Sequence, residues 1–237
     1  ATKRIKLGTG TINMPNTHPA SVAASIAMLD HMLDGRLIFG ISPGGLLSDA
    51  EVFGNLEADR NAMFLEAINQ VLHIWESEAP YNIQGKYWNI STEKTLMKEI
   101  GQGIIGRPLQ RPHPPIVVTA VAPFSKGVTE AAARGWDPIS ANFLMPAWVK
   151  SHWPKYVEGC DRAGRKADAD NWRVAKSIFV ARDAATASRP ICKDSPSSEY
   201  EPRCKAGERD CCALLVDGKF PTDPASVDAF GLACAGG

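Results

Sequence analysis

Three short runs place chemically capable residues where a chain can use them. Ser125-Lys126-Gly127 opens a helical stretch just after the apolar run Ile116–Val121. The first amides of a helix have no intrahelical partner and carry partial positive charge. With a hydroxyl beside them, they form a ready site for a phosphate. The alternative is that Ser125 serves only as an N-cap. Ser42-Pro43-Gly44-Gly45 follows a second apolar run, Leu37–Ile41, and places a hydroxyl at the start of a tight turn. Thr11, Asn13 and His18 belong to the end of a third run and the loop after it. His18 is a candidate active-site base, because imidazole titrates near neutrality. It also precedes Pro19 at a helix start, where it could be only a local contact.

Strand and helix alternate around these runs. Ile5–Thr11 and Leu37–Ile41 read as strands, joined by a helix over Ala20–Leu33 with Val22, Ile26, Leu29 and Leu33 on one face. Such a unit is a parallel βαβ crossover, which places the chain in the α/β class. The chemistry of that class lies in loops at the carboxyl ends of strands, here Ile12–Pro19 and Ser42–Asp49. A helix over Ala58–Glu76 follows, with Phe64, Ile68, Val71 and Trp75 as its buried stripe. The long stretch Pro80–Pro114 is irregular, with a hairpin turning at Gly85; its length suits a lid or substrate wall carrying Tyr81, Tyr87 and Trp88. Ile116–Val121 and Pro138–Phe143 are further strands. Ser125–Arg134 is a helix closed by Gly135, and Ala147–Ala163 is a helix that Pro154 should break or kink. Trp172–Ala181 is a fifth strand, and Asp183–Ala187 begins another helix. Asp30 and Arg36 read as a partly buried ion pair across the helix-to-strand turn; Arg60 and Glu66 read as scaffold charges.

Composition narrows the function classes. The 237 residues carry 26 basic and 26 acidic side chains, so no charged surface points to nucleic acid or membrane. No apolar run approaches the length of a membrane span. One cysteine, Cys160, stands in the first 190 residues, as in a reduced cytoplasmic protein, while five crowd the region from Cys192 to Cys234. Those five show neither a CxxC pair nor a nearby histidine, so no metal site is expected. Hydrophobic periodicity fades from about Ser188. Residues 1–187 are therefore expected to form the folded domain, and 188–237 a tail that is disordered or frame-shifted. Ala1 lies only a few residues before a strand, so the chain is expected to be a fragment. Gly8-Thr9-Gly10 lacks the third glycine of a dinucleotide fingerprint, which favours part of a barrel over an open sheet.

The run IKLGTGT…HP…AMLDHMLDGRLIFGISPGG resembles the bacterial luciferase-like flavin monooxygenases. So do the helix DRNAMFLEAINQVLHIW, the segment PLQRPHPPIVVTAVAPFSKGVTEAAARGWD and the strand WRVAKSIFVARD, in that order. The likeness spans Lys3 to Ala187 and is greatest to members described as limonene monooxygenase-like. It implies an α/β fold that is a partial (β/α)8 TIM-type barrel, about strands 3 to 7, incomplete at both ends. It also implies a two-component enzyme: a separate flavin reductase supplies reduced FMN, and dioxygen is used to oxygenate a small apolar molecule such as a terpene or aldehyde. Deazaflavin-dependent oxidoreductases of the same superfamily are the alternative, and an inactive fragment that at most binds flavin or a subunit is a third. The resemblance assigns the flavin phosphate to Ser125 and Gly127 with Lys126 between them, and the flavin ring to Thr11, Asn13 and Ser42. Luciferases carry a Cys-Arg pair where this chain has Ser42-Pro43, so Arg107 or Lys126 would have to supply the cation. The intact protein is expected to be a cytoplasmic homo-oligomer.

Overall fold

The computed structural model describes residues 3–142 and 144–175, together with the backbone of strands at 177–180 and 212–215. The chain divides into two compact units, Ala1–Thr119 and Ala120–Gly237.

In the first unit a parallel sheet is built around β3 (Leu37–Ser42). β1 (Leu7–Gly8) and β2 (Ile12–Asn13) lie along one side of it, and β6 (Ile116–Ala120) lies along the other. β3 is buried at five of its six positions, as a strand covered on both faces should be. Two helices supply the cover on the Phe39 side. α1 (Pro19–Met32) contributes Val22, Ala23, Ile26 and Ala27. α3 (Arg60–Glu76) contributes Phe64, Ile68, Val71 and Trp75, the stripe its spacing predicts. Trp75 packs edge-on to Phe39 at 5.9 Å, and its indole N–H donates to the Ala23 carbonyl at 3.2 Å, which locks the two helices and β3 together. On α1 the buried stripe is rotated from the expected one. Leu29 and Leu33 sit at its margin, and Asp30 takes the fully buried position.

The predicted single strand Ile5–Thr11 is two short strands. β1 pairs Leu7 with Leu37 and Gly8 with Ile38, whereas β2 pairs Ile12 with Ile41. Three residues, Thr9 to Thr11, therefore face two on β3, and the extra one arches over Gly40. This bulge shifts the strand's side-chain phase by one residue. A short helix that local spacing does not announce, α2 (Leu47–Val52), interrupts the connection after β3.

The segment between α3 and β6 is not a lid over the strands' carboxyl ends. It runs from a helix end to a strand start, and its contacts fix it there. The Arg107 guanidinium donates to the Ser77 carbonyl at 2.7 Å, beyond the last turn of α3. Gln110 donates through its backbone and side chain to Asp30, each at 2.7 Å, and through its side chain to the carbonyl of Leu37, the first residue of β3. Asp30 is thus held by Gln110, while Arg36 donates to the Leu33 and Ile5 carbonyls at 2.9 and 2.7 Å; the expected Asp30–Arg36 pair is replaced by these bonds. The hairpin, β4 (Asn82–Ile83) with β5 (Ile90–Ser91), is fastened along α3. Glu66 accepts from the amides of Lys86, Tyr87 and Trp88 at 2.8 to 2.9 Å, and Gln70 donates to the Trp88 carbonyl. Glu66 is a scaffold charge, as expected, and Tyr81 is buried with its hydroxyl at Ile105. Arg107 is held at this amino end, away from the Ser42 turn.

In the second unit α4 (Lys126–Ala133) packs on α5 (Pro146–Arg162), where the absence of a side chain on Gly159 lets the helices meet at the Thr129 carbonyl and Ala132. Their shared core is Ala120, Val128, Ala132, Tyr156 and Cys160. α5 runs through Pro154 without a break. One backbone hydrogen bond is lost there, and the packing of both halves of the helix holds it. β7 (Asp137–Ser140) pairs in parallel with β8 (Arg173–Val174). β9 (Ser177–Val180) pairs in parallel with β10 (Cys212–Leu215), which falls inside the expected tail. The rest of that tail, and the helix expected at Asp183–Ala187, lie outside the described residues. Among the described residues no helix is long and apolar enough to cross a membrane.

The fully buried Tyr156 donates to Asp137 at 3.3 Å. Burial, reinforced by the Asp137 carboxylate, pushes its hydroxyl up from 10.0 to about 12. A raised value means that the folded state keeps its proton where the unfolded chain has lost it. This contribution to stability is therefore complete below pH 10 and is lost as pH rises toward 12. Tyr156→Phe should remove that alkaline loss, which thermal melts of the two proteins from about pH 9 to 12 would measure. Parallel pH profiles would contradict it.

Candidate functional site

Each unit carries one group of the candidate residues at the carboxyl end of a strand. In the first unit the bulge brings Asn13 into register with Ser42, and residues in register on parallel strands point to the same side of the sheet. The Ser42 hydroxyl donates to Asn13 Oδ1 at 2.5 Å and accepts from the Gly44 amide at 3.3 Å. Gly44 holds φ +78°, with Asn13 packed against it. The Ser42 hydroxyl thus both donates and accepts within the chain, and its bond leaves Asn13 with Nδ2 as donor. Thr11 is half-buried beside Gly40. His18 is exposed at the N-cap of α1, where Nδ1 accepts from the Ala20 amide at 3.2 Å. That bond needs Nδ1 without a proton, so the capping form is the neutral ring protonated at Nε2.

The connection from β3 to α3 is also tied back to this end. Asn55, buried, donates to the Pro15 carbonyl at 3.4 Å and to Asn16 Oδ1 at 3.0 Å. Between the anchors at Ser42 and Asn55, the side chains of Leu46, Leu47, Val52 and Phe53 are more than half exposed. These are the apolar groups the chain displays at the carboxyl end of β3. Tyr81, Tyr87 and Trp88 are held elsewhere, by the α3–β6 segment.

In the second unit Ser125 stands at the N-cap position of α4, but its side chain makes no capping hydrogen bond. Lys126 and Gly127 are exposed, and a side chain on Gly127 would meet only the Ser125 hydroxyl. The corner therefore offers a hydroxyl, an ammonium and the first amides of an eight-residue helix, and among the described residues only the Ser125 hydroxyl lies within 4 Å of a carbon added at Gly127. That donor set fits a phosphate dianion. Phe124, just before it, takes φ +51°, a left-handed conformation costing a bulky residue roughly 1–2 kcal/mol.

Residue type and position after a strand are enough to locate both groups in the sequence. The Asn13–Ser42 bond, the anchor at Asn55 and the strained Phe124 carry no such signal, since each depends on residues far apart in the chain or on backbone conformation.

A sequence profile described as luciferase-like monooxygenase matches residues 1–200. Limonene 1,2-monooxygenase from Rhodococcus erythropolis is 25% identical over 186 residues, covering 76% of this chain and 47% of that protein. A Mycobacterium tuberculosis protein named as a putative coenzyme F420-dependent oxidoreductase is 25% identical over 191 residues, covering 79% and 54%. Among solved structures, the oxygenating constituent of 3,6-diketocamphane monooxygenase from Pseudomonas putida, in complex with FMN, superposes with a TM-score of 0.73 at 26% identity, covering 87% of this chain and 59% of that one. The chain thus spans about half the length of the curated relatives it matches. Its fold is α/β and corresponds to part of the TIM-type barrel of these neighbours. Profile, relatives and fold agree: the chain belongs to the luciferase-like monooxygenase family.

Proposed function

We propose that the protein is the oxygenase component of a flavin-dependent monooxygenase that acts on a small apolar molecule. The observation that carries this reading is the Ser125–Gly127 corner, whose uncommitted hydroxyl, ammonium and helix amides suit a flavin phosphate. In the first unit, taken by itself, Asn13, oriented by Ser42, is a proposed polar contact for a ligand, with Thr11 beside it. Reduced FMN, when bound, supplies the electrons and activates dioxygen. The chain's own tasks are to hold the phosphate and ring, to orient the substrate and to keep water out. Leu46, Leu47, Val52 and Phe53 supply an apolar surface for a terpene- or aldehyde-like substrate. His18 remains the candidate base; its free lone pair is on Nδ1, so taking up a proton there would give up the helix-capping bond. A separate flavin reductase is the proposed source of reduced FMN, in a cytoplasmic homo-oligomer.

The second reading, a deazaflavin-dependent oxidoreductase, is favoured by the F420-named relative. Titration of the purified chain with reduced FMN, oxidised FMN and a deazaflavin separates the two. Binding of reduced FMN at least about tenfold tighter than the deazaflavin is expected. Tight binding of the deazaflavin alone would reverse the assignment, and binding of neither would favour an inactive piece. Activity is to be assayed with a reductase present, because turnover needs reduced flavin.

A further inference from the structure

We infer that Ser151 and His152, on α5, are positioning residues that set the shape of the Ser125–Gly127 phosphate corner from behind. This rests on the phosphate assignment above. The loop from β6 to α4 is held at two points. At Phe124 the backbone amide donates to the Ser151 hydroxyl at 2.8 Å, and that hydroxyl donates in turn to the Trp148 carbonyl at 2.6 Å. Two residues earlier, the Ala122 carbonyl is bonded to His152 Nε2 at 2.8 Å. A carbonyl only accepts, so Nε2 carries a proton, and in the neutral ring Nδ1 is then the acceptor. Nδ1 then accepts from the Ser140 hydroxyl at 2.8 Å, and that oxygen accepts from the Trp172 indole N–H at 3.0 Å.

The result is a chain of donors with one direction, from Trp172 through Ser140 and His152 to the Ala122 carbonyl. His152 and Ser140 are fully buried and Ser151 nearly so. A network in which every member is satisfied resists rearrangement, because breaking any bond strands a buried polar group. What it holds is otherwise unfavourable. Phe124 is 67% exposed and adopts φ +51°, so its side chain contributes little to keeping the loop in that form. Without the Ser151 acceptor, the amide of Phe124 loses its partner and the backbone is free to relax to negative φ. That rotation would carry Ser125 and the first amides of α4 with it. The Ser151 hydroxyl and both His152 ring nitrogens are engaged by these bonds, so the two residues act through the loop.

The test compares FMN with riboflavin, which has the same ring and no phosphate, on the full chain. Ser151→Ala should weaken FMN binding about tenfold, the scale of one lost and misdirected hydrogen-bond set, and change riboflavin binding by less than about twofold. Ser151→Thr, which keeps the hydroxyl, should stay near the parent value. Adding Phe124→Asn to Ser151→Ala should restore most of the loss, because asparagine tolerates left-handed φ. If Ser151→Ala lowers both flavins in step with thermal stability, the role is merely structural and the inference fails. An unchanged FMN-to-riboflavin ratio in Ser151→Ala likewise overturns it. If the parent protein shows no preference for FMN over riboflavin, the phosphate assignment itself fails and takes this inference with it. Should Ser151→Ala not fold, Ser151→Cys is compared in the parent and Phe124→Asn backgrounds. A smaller loss of FMN binding in the Phe124→Asn background supports the inference, and an equal loss opposes it.

Discussion

Gly40→Ala should destabilise the first unit by about 3 kcal/mol or more, the upper range for forcing an extra methyl into a packed site. A Cβ at this position would be driven into the Thr9 carbonyl oxygen and would crowd the Thr11 methyl at 3.3 Å. Neither neighbour can simply swing aside. The Thr9 hydroxyl both donates to the Gly40 carbonyl and accepts from the Gly40 amide, each at 2.8 Å, so the arch of Thr9–Thr11 is fastened to β3 at the point where the methyl would enter. Relief requires lifting the bulge, which also shifts Asn13 out of register with Ser42. A drop of roughly 10 °C or more in melting midpoint is expected, with Gly45→Ala as the control because nothing lies within 4 Å of its added carbon. Equal melting of the two variants would show that the bulge yields easily.

Ser125→Asp is expected to cost about 100-fold in FMN affinity while leaving the fold intact. The two effects separate because aspartate is among the best N-cap residues and its charge favours a helix N-terminus by roughly 0.3–1 kcal/mol. α4 should therefore be as stable as before, or more so. The same carboxylate would face the phosphate dianion at the corner now lined by a hydroxyl, and repulsion between close charges at a partly buried site is worth a few kcal/mol, on the order of 100-fold in affinity. Riboflavin binding and the melting midpoint should stay at parent values. FMN affinity within about threefold of the parent would place the phosphate elsewhere.

Much of the scaffold is legible in the residues. The α3 stripe, the crossover from α1 to β3 and the helix after Ser125 each follow from local spacing, and local spacing reflects which face must be buried. Local rules fail where a longer-range contact decides. Leu29 and Leu33 suit an apolar face as well as Ala23 and Asp30, but Gln110, eighty residues away from Asp30, supplies the two bonds that allow a carboxylate at the buried position. Pro154 should break or kink a helix by local rules, yet α5 continues through it, packed on the core it shares with α4. The Tyr81–Trp88 aromatics look like a substrate wall in sequence, and the connection from helix end to strand start sends them to the other end of the strands.

The sequence by itself determined the class of fold, the family, and the two loops that carry Ser42 and Ser125, since these depend on residue type and on order along the chain. Only the tertiary structure decided which atoms those residues have left to offer. A bulge over a side-chain-free Gly40 turns Asn13 toward Ser42 and occupies the serine hydroxyl. A buried serine and histidine on α5 hold Phe124 left-handed and leave the hydroxyl of Ser125 uncommitted. Both outcomes come from hydrogen bonds between residues about thirty positions apart, and no local pattern encodes the distance that brings them together.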